Sequence, residues 1–229
     1  MKHNILYSFR RCPYAIRARW ALLITNQIVE LREIDLKNKP LELIEISKKA
    51  TVPVLETYLD EIIDESIDIM IWAIKRAGMF ELLGSEKDNK SKEIFSLIET
   101  NDKIFKYHLD RFKYASRFNN QELKTHRDSG IEILISLNKR LMCNSQKGKC
   151  NFLVNKQQTL ADWAIWPFIR QFRLADPKGF DENQEIKHIR DWLNYFLSHE
   201  KYPIVMQKNI PWCNQNETLI FPEQGYAKP

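Results

Sequence analysis

The chain has 229 residues, against the roughly 150 of an average domain, so it forms one large domain or two small ones with room for a buried core. Its 44% hydrophobic and 28% charged residues exclude wholesale disorder, and a net charge of +5 is too small to imply nucleic acid without a concentrated basic face. The six glycines form neither a dinucleotide fingerprint nor a phosphate-cradling loop, which argues against Rossmann-type and P-loop nucleotide enzymes. Cys12, Cys143, Cys150 and Cys213 make no C-x-x-C pair and no zinc spacing, so no metal is expected. No apolar run reaches the roughly 18 residues of a membrane span, and Arg10 and Arg11 interrupt the start before a signal-peptide core forms. A reducing cytoplasmic setting, in which free thiols persist, is the expectation.

Along the first eighty residues, strand-like and helix-like patterns alternate. Asn4 to Phe9 reads as a short strand and Pro13 to Asn26 as a helix with Ile16, Trp20, Leu23 and Ile24 on one face. Val29 to Asp35 is a second strand, followed by a loop with Lys37 and Lys39 and a short helix ending near Ile46. Val54 to Tyr58 and Glu61 to Ile63 read as a hairpin, and Ser66 as the cap of a helix carrying Ile67, Met70, Ile71 and Ile74. The order βαβαββα predicts an α/β domain over 1–82. Beyond a polar linker at Ser85 to Lys92 the period is helical, with segments at about 91–118, 122–143, 160–175 and 186–198. An all-α second domain over 91–229 is predicted, its proline-punctuated end from Lys201 lying against the body without regular structure.

Charge is unevenly spread. Residues 1–29 carry Lys2, Arg10, Arg11, Arg17 and Arg19 without an acid, whereas 50–74 carry six acids without a base. Such poles are either two solvated faces or, if they meet, the walls of a pocket for a small zwitterion.

The richest stretch is Phe9-Arg10-Arg11-Cys12-Pro13-Tyr14-Ala15, where a strand ends and a helix begins. Proline is favoured in the first helical turn, so Pro13 fixes the helix start and places Cys12 at the N-cap. The helix dipole, free amides, Arg10 and Arg11 then favour a thiolate, and such settings lower a cysteine pKa from about 8.5 into the range 3.5–7.5. The bland alternative is a small buried residue. Ala15 stands where a dithiol motif has its second cysteine, so redox chemistry at Cys12 requires an external thiol to resolve it.

The Cys-Pro-Tyr-Ala turn, Thr51-Val52-Pro53 before the third strand, Glu65-Ser66 at a helix start and Thr159-Leu160-Ala161-Asp162-Trp163-Ala164 before a later helix resemble the cytosolic glutathione transferase superfamily. With one cysteine in place of a catalytic serine or tyrosine, the chain resembles its omega-like, cysteine-type class. The resemblance implies a thioredoxin-like α/β domain followed by an all-α domain, glutathione as substrate or co-substrate, no metal, and a homodimer. It implies catalysis at Cys12, contact of the cysteinyl part of glutathione with Val52 ahead of a cis Pro53, and the γ-glutamyl end at Glu65 and Ser66. Physically, Ser66 and the amides behind it suit a carboxylate and Glu65 an ammonium. Lys39 matches a lysine that meets the glycyl carboxylate, with Lys37 near enough to substitute.

Tyr7 invites a tyrosine-type reading. Strand alternation turns it to the opposite side of the sheet from Ser8, nearer which the catalytic phenol of tyrosine-type relatives falls, so Tyr7 reads as core. In the helix around 101–118, Phe105, Leu109 and Phe112 mark a core face, while Tyr107, Arg111, Tyr114 and Phe118 form a second face that borders a co-substrate pocket or packs against another helix. Thr159 and Asp162 form a folding capping box, and Pro167 is expected to kink its helix. Cys143 and Cys150 flank a polar loop and pair only under oxidation.

Three functions follow from these readings. One is thiol transfer through a glutathione mixed disulfide at Cys12. Another is conjugation of glutathione to small electrophiles, with Cys12 only lining the site. A third is a non-catalytic, glutathione-transferase-like interaction protein. A membrane-inserting relative that also begins Cys-Pro is disfavoured by the arginines of the first strand and helix.

Overall fold

The structure, a computed structural model, describes residues 3–87, 89–113, 122–146, 152–215 and 217–223, with the backbone alone at 143–146. Two compact units emerge: Met1–Phe80 with Glu200–Pro229, and Glu81–His199. The helical domain expected over 91–229 includes the segment from 200 onward, whereas the described residues of that segment group with the first unit.

In the first unit, β1 (Asn4–Ser8), α1 (Pro13–Ile24), β2 (Val29–Glu33), α2 (Leu41–Ile46), β3 (Val54–Glu56), β4 (Ile62–Ile63) and α3 (Ser66–Arg76) follow the predicted order. The sheet runs β4-β3-β1-β2-β5, with β5 at Ile220–Phe221. β1 and β2 are parallel, joined through α1, while the β1–β3, β3–β4 and β2–β5 pairs are antiparallel. This is the thioredoxin-like arrangement. Successive strand residues face opposite sides. Tyr7 and Val54 pack with Ile34 and Leu43 of α2 on one side, whereas Ser8 meets α1 on the other through Arg19. Asp60, at φ 62, turns the β3–β4 hairpin, a conformation that aspartate tolerates better than most residues.

Two features of this unit depart from expectation. α1 is buried on all sides, Arg17 and Arg19 included, rather than along one apolar stripe. The tail from 201 is also regular in part: α10 (Tyr202–Val205) contacts α1, and β5 extends the sheet beside β2. Trp212 N–H donates to the Glu33 carbonyl at 2.7 Å, and the Arg32 guanidinium lies 4.2 Å from the Trp212 ring centre. The tail is thus stitched along β2 by backbone bonds and a cation–π contact.

The second unit is helical: α4 (Lys90–Glu99), a π-helical stretch at Thr100–Phe105, α5 (Lys106–Lys113), α6 (Leu123–Gln146), α7 (Leu160–Ala175), α8 (Pro177–Glu182) and α9 (Lys187–Leu197). The predicted 91–118 segment is therefore interrupted by π-helical turns. Phe105, Leu109 and Phe112 are buried, and Phe105 and Phe112 pack on Phe172 of α7. A Cβ at Gly130 of α6 would come within 2.5 Å of the Phe172 ring, so glycine is what lets α6 approach α7. α7 starts at the expected capping box and continues through Pro167. Among the described residues no helix is long and apolar enough to cross a membrane.

Candidate functional site

Cys12 occupies the N-cap of α1 in an extended conformation, with Pro13 as the first helical residue. Its N–H donates to the Phe9 carbonyl at 3.0 Å, closing the turn, and its carbonyl accepts from Ile16 N–H at 2.9 Å. The side chain does not cap the helix. Half-buried, it points to the Val52 carbonyl, with Sγ 3.7 Å from that oxygen and the S–H as donor. This is the position in which a helix N-terminus favours a thiolate. A carbonyl oxygen opposite the sulfur works the other way, because it stabilises the protonated thiol.

Val52 reaches Cys12 from 40 residues away in sequence. The Val52–Pro53 peptide is cis. Ala50, two residues earlier, sits at φ 44, in the left-handed region that a Cβ disfavours, and its N–H bonds the Ser47 carbonyl at 2.9 Å. Nothing in the sequence marks Ala50 as unusual.

At α3 the sequence reading is corrected by one position. The N-cap is Glu65, extended and without a side-chain cap bond, and Ser66 is the first helical residue. Ser66 is buried, and its Oγ accepts from Arg17 Nε at 3.0 Å, while the Arg17 guanidinium stacks over Tyr14 at 4.9 Å. Glu65 is exposed and contacts the Lys49 ammonium. Lys39 lies in the exposed loop ahead of α2. Nearby, Asp35 accepts from the Lys37 N–H and the Asn38 amide, and these bonds hold its carboxyl below the usual range.

Glu65 contacts Lys49, whereas Arg17 and Arg19 are buried against other partners. Arg19 donates to Val205 O, Ser8 Oγ and Arg10 O. Burial lowers its pKa to about 10, so it remains a cation at neutral pH. Glu33, on β2 beside Ser8, is buried and accepts the Arg10 N–H at 2.7 Å; burial raises its pKa. Arg11 is exposed and lies 5.6 Å from the Phe9 ring centre. The charge pattern leaves the arginines of α1 either on a solvated face or on a pocket wall, and Arg17 and Arg19 are instead buried. The available signal was their placement: at three and four residues Arg17 neighbours Pro13, Trp20 and Ala21, and Arg19 neighbours Ala15, Ile16, Leu22 and Leu23, so both sit among apolar residues of the helix.

Tyr7 is a core residue. Its oxygen accepts from Arg32 at 2.8 Å, its ring packs on the α2 side, and burial keeps the phenol protonated by raising its pKa. In the second unit Tyr107 is exposed, with the Arg111 guanidinium 3.5 Å from its ring centre; Tyr114 and Phe118 lie outside the described residues. The Nδ1 atoms of His108 and His126 lie 3.0 Å apart, so one ring donates to the other. The Cys143 and Cys150 side chains also lie outside the described set, and Cys213 is exposed. Two cavities, of about 230 and about 450 Å³, flank β5; Cys12 lines neither.

Residues 6–81 match the family model of the glutathione S-transferase N-terminal domain. No curated protein matches the chain. Among solved structures, a Tau class glutathione S-transferase from mango, Mangifera indica, is similar at 21% identity and a TM-score of 0.75, over 90% of this chain and 93% of that one. Glutathione transferase Omega 3C from Trametes versicolor gives 16% and 0.72, over 93% and 87%. The glutathione transferase URE2P6 from Phanerochaete chrysosporium, solved with oxidized glutathione, gives 16% and 0.75, over 89% and 94%. Identities this low speak for the fold. Residues 6–81 thus resemble a glutathione S-transferase N-terminal domain, and the chain as a whole is similar in fold to the glutathione transferases.

Proposed function

We propose that the protein is a glutathione-dependent thiol transferase with Cys12 as nucleophile. The observation that carries this reading is the Cys12 sulfur at the start of α1, 3.7 Å from the carbonyl of a cis Val52–Pro53 unit. Glutathione docks its cysteinyl backbone along Val52. Ser66, one lone pair already occupied by Arg17, donates its own O–H to the γ-glutamyl carboxylate. Glu65 exchanges Lys49 for the ligand's ammonium, and Lys39 takes the glycyl carboxylate. The Phanerochaete relative solved with oxidized glutathione is in keeping with a disulfide substrate.

The chemistry balances without a further oxidant. The Cys12 thiolate attacks the glutathionyl sulfur of a mixed disulfide, the S–S bond breaks, and the other thiolate leaves and takes a proton from water. A second glutathione thiolate then attacks the glutathionyl sulfur on Cys12, forming oxidised glutathione and releasing the Cys12 thiolate. Ala15 leaves no internal thiol at the dithiol position to short-circuit this second step.

A second reading keeps glutathione as the nucleophile toward small electrophiles, with exposed Tyr107 and Arg111 bordering the electrophile. Reduction of a small disulfide by glutathione, compared between wild type and Cys12→Ser, separates the two. Thiol transfer lost in the variant is the expected result. Full transfer by Cys12→Ser overturns the proposal, and robust conjugation of an aryl halide by that variant selects the second reading. Neither activity in a folded wild type that also fails to bind a glutathione resin points to an interaction protein. The homodimer implied by the family is checked by sedimentation at micromolar concentration, with a mass twice that of the chain expected.

A further inference from the structure

The start of α1 is not the only source of positive potential at Cys12. Arg19 is 2% exposed, and its guanidinium is fixed by oxygens from separate parts of the unit: Val205 O at 3.0 Å, Ser8 Oγ, and Arg10 O at 2.9 Å. Ser8 ends β1, and Arg10 lies two residues before Cys12 in the turn closed by Cys12 N–H to Phe9 O. The cation is therefore pinned beneath the turn that presents the sulfur. Shielded from water, its field is screened far less than that of exposed Arg11.

Glu33 enters the same place from β2. Its carboxylate accepts the Arg10 N–H at 2.7 Å, and Arg19 and Glu33 each favour the other's charged form. A negative Cys12 likewise favours the Arg19 cation, and such an interaction is mutual. Arg10 and Arg11 belong to the same turn, and the Val52 carbonyl lies 3.7 Å from the sulfur.

We infer that Arg19 is the positioning residue that sets the ionisation of Cys12, and that Glu33 restrains it: the buried guanidinium holds the turn and favours the thiolate, while the carboxylate beside it offsets part of that charge. This assignment rests on Cys12 being the nucleophile of the proposed reaction. It gives Arg19 and Glu33 opposite effects, which a role in stability alone does not.

The test is the pH dependence of iodoacetamide alkylation at Cys12 in the full chain, read by peptide-resolved mass spectrometry so that the other cysteines do not contribute. Arg19→Met should raise the Cys12 pKa by about one unit, roughly tenfold less thiolate at a pH below it. Glu33→Gln, which keeps an oxygen for the Arg10 N–H, should lower it by a smaller amount. If Arg19→Met does not fold, Glu33→Gln decides alone: a Cys12 pKa that rises or stays put overturns the assignment. Alkylation needs no glutathione. Loss of the thiol-transfer reading therefore leaves this profile measurable, and unshifted profiles in both variants remove the role of Arg19 while leaving thiol transfer standing.

Discussion

Arg19 in the first unit and Asp162 in the second are both charged and both buried, yet their partners differ in kind. Asp162 accepts from Leu153 N–H, Thr159 N–H, Thr159 Oγ1 and Trp192 Nε1, each at 2.9 Å. Those donors lie at the start of its own helix, in the segment leading to it and on α9, so the carboxylate ties one helical unit together. Arg19 instead grips the end of β1 and the turn that carries a half-buried thiol. A buried charge is ambiguous on its own; what its partners hold in place distinguishes a folding knot from part of a site. The capping box before α7 and the arginine under the Cys12 turn are equally buried devices, and the second holds the turn that carries the proposed nucleophile.

Asp162→Ala should produce the largest change in stability, because it strands several buried donors. A loss of about 3 kcal/mol in urea unfolding is expected, with thiol transfer per folded molecule unchanged. A stability loss below about 1 kcal/mol would mean that the Asp162 network is not a folding knot.

Ser66→Ala sharpens the comparison from the side of the site. Removing a hydrogen bond to a charged ligand group costs about 1.5–3 kcal/mol, so glutathione affinity should fall about tenfold or more by titration calorimetry. Stability should also fall, by about 1 kcal/mol, since Arg17 Nε loses its acceptor. Unchanged affinity with reduced stability would leave Ser66 as a packing partner of Arg17 alone.

Tyr7→Phe removes the Arg32 hydrogen bond and should cost about 1 kcal/mol of stability. Turnover should stay within about twofold, because the phenol lies on the α2 side of the sheet. The smallest effect is expected at exposed Arg11: Arg11→Ala should change the Cys12 alkylation rate by less than about twofold, the field of a solvated charge being screened. A drop as large as that expected for Arg19→Met would return the role to the surface arginines.

The local parts of this account were legible in the sequence. Proline after cysteine at a strand end fixes a helix start, and the structure has Cys12 at that N-cap. Phe105, Leu109 and Phe112 announced a buried face by their spacing. At α3 the reading missed by one residue, since serine favours N-caps while the actual cap, Glu65, makes no side-chain bond that would advertise it. What stayed illegible is non-local. Burial of Arg17 and Arg19 depends on Ser66 and on Val205, which lies 186 residues from Arg19. β5 is two residues long and pairs with a strand near the other end of the chain, so no local pattern reveals it. The cis Val52–Pro53 bond came from family likeness, since X-Pro base rates of about 5–6% would not predict it.

Intact mass after exposure to oxidised glutathione, with wild type and Cys12→Ser side by side, tests the nucleophile most directly. Wild type should gain one glutathionyl group, located on Cys12 by peptide mapping and removed by added glutathione, and Cys12→Ser should gain none. A wild-type protein that stays unmodified under these conditions, or one that carries the adduct on Cys213 rather than Cys12, would contradict the assignment of Cys12 as the reactive thiol.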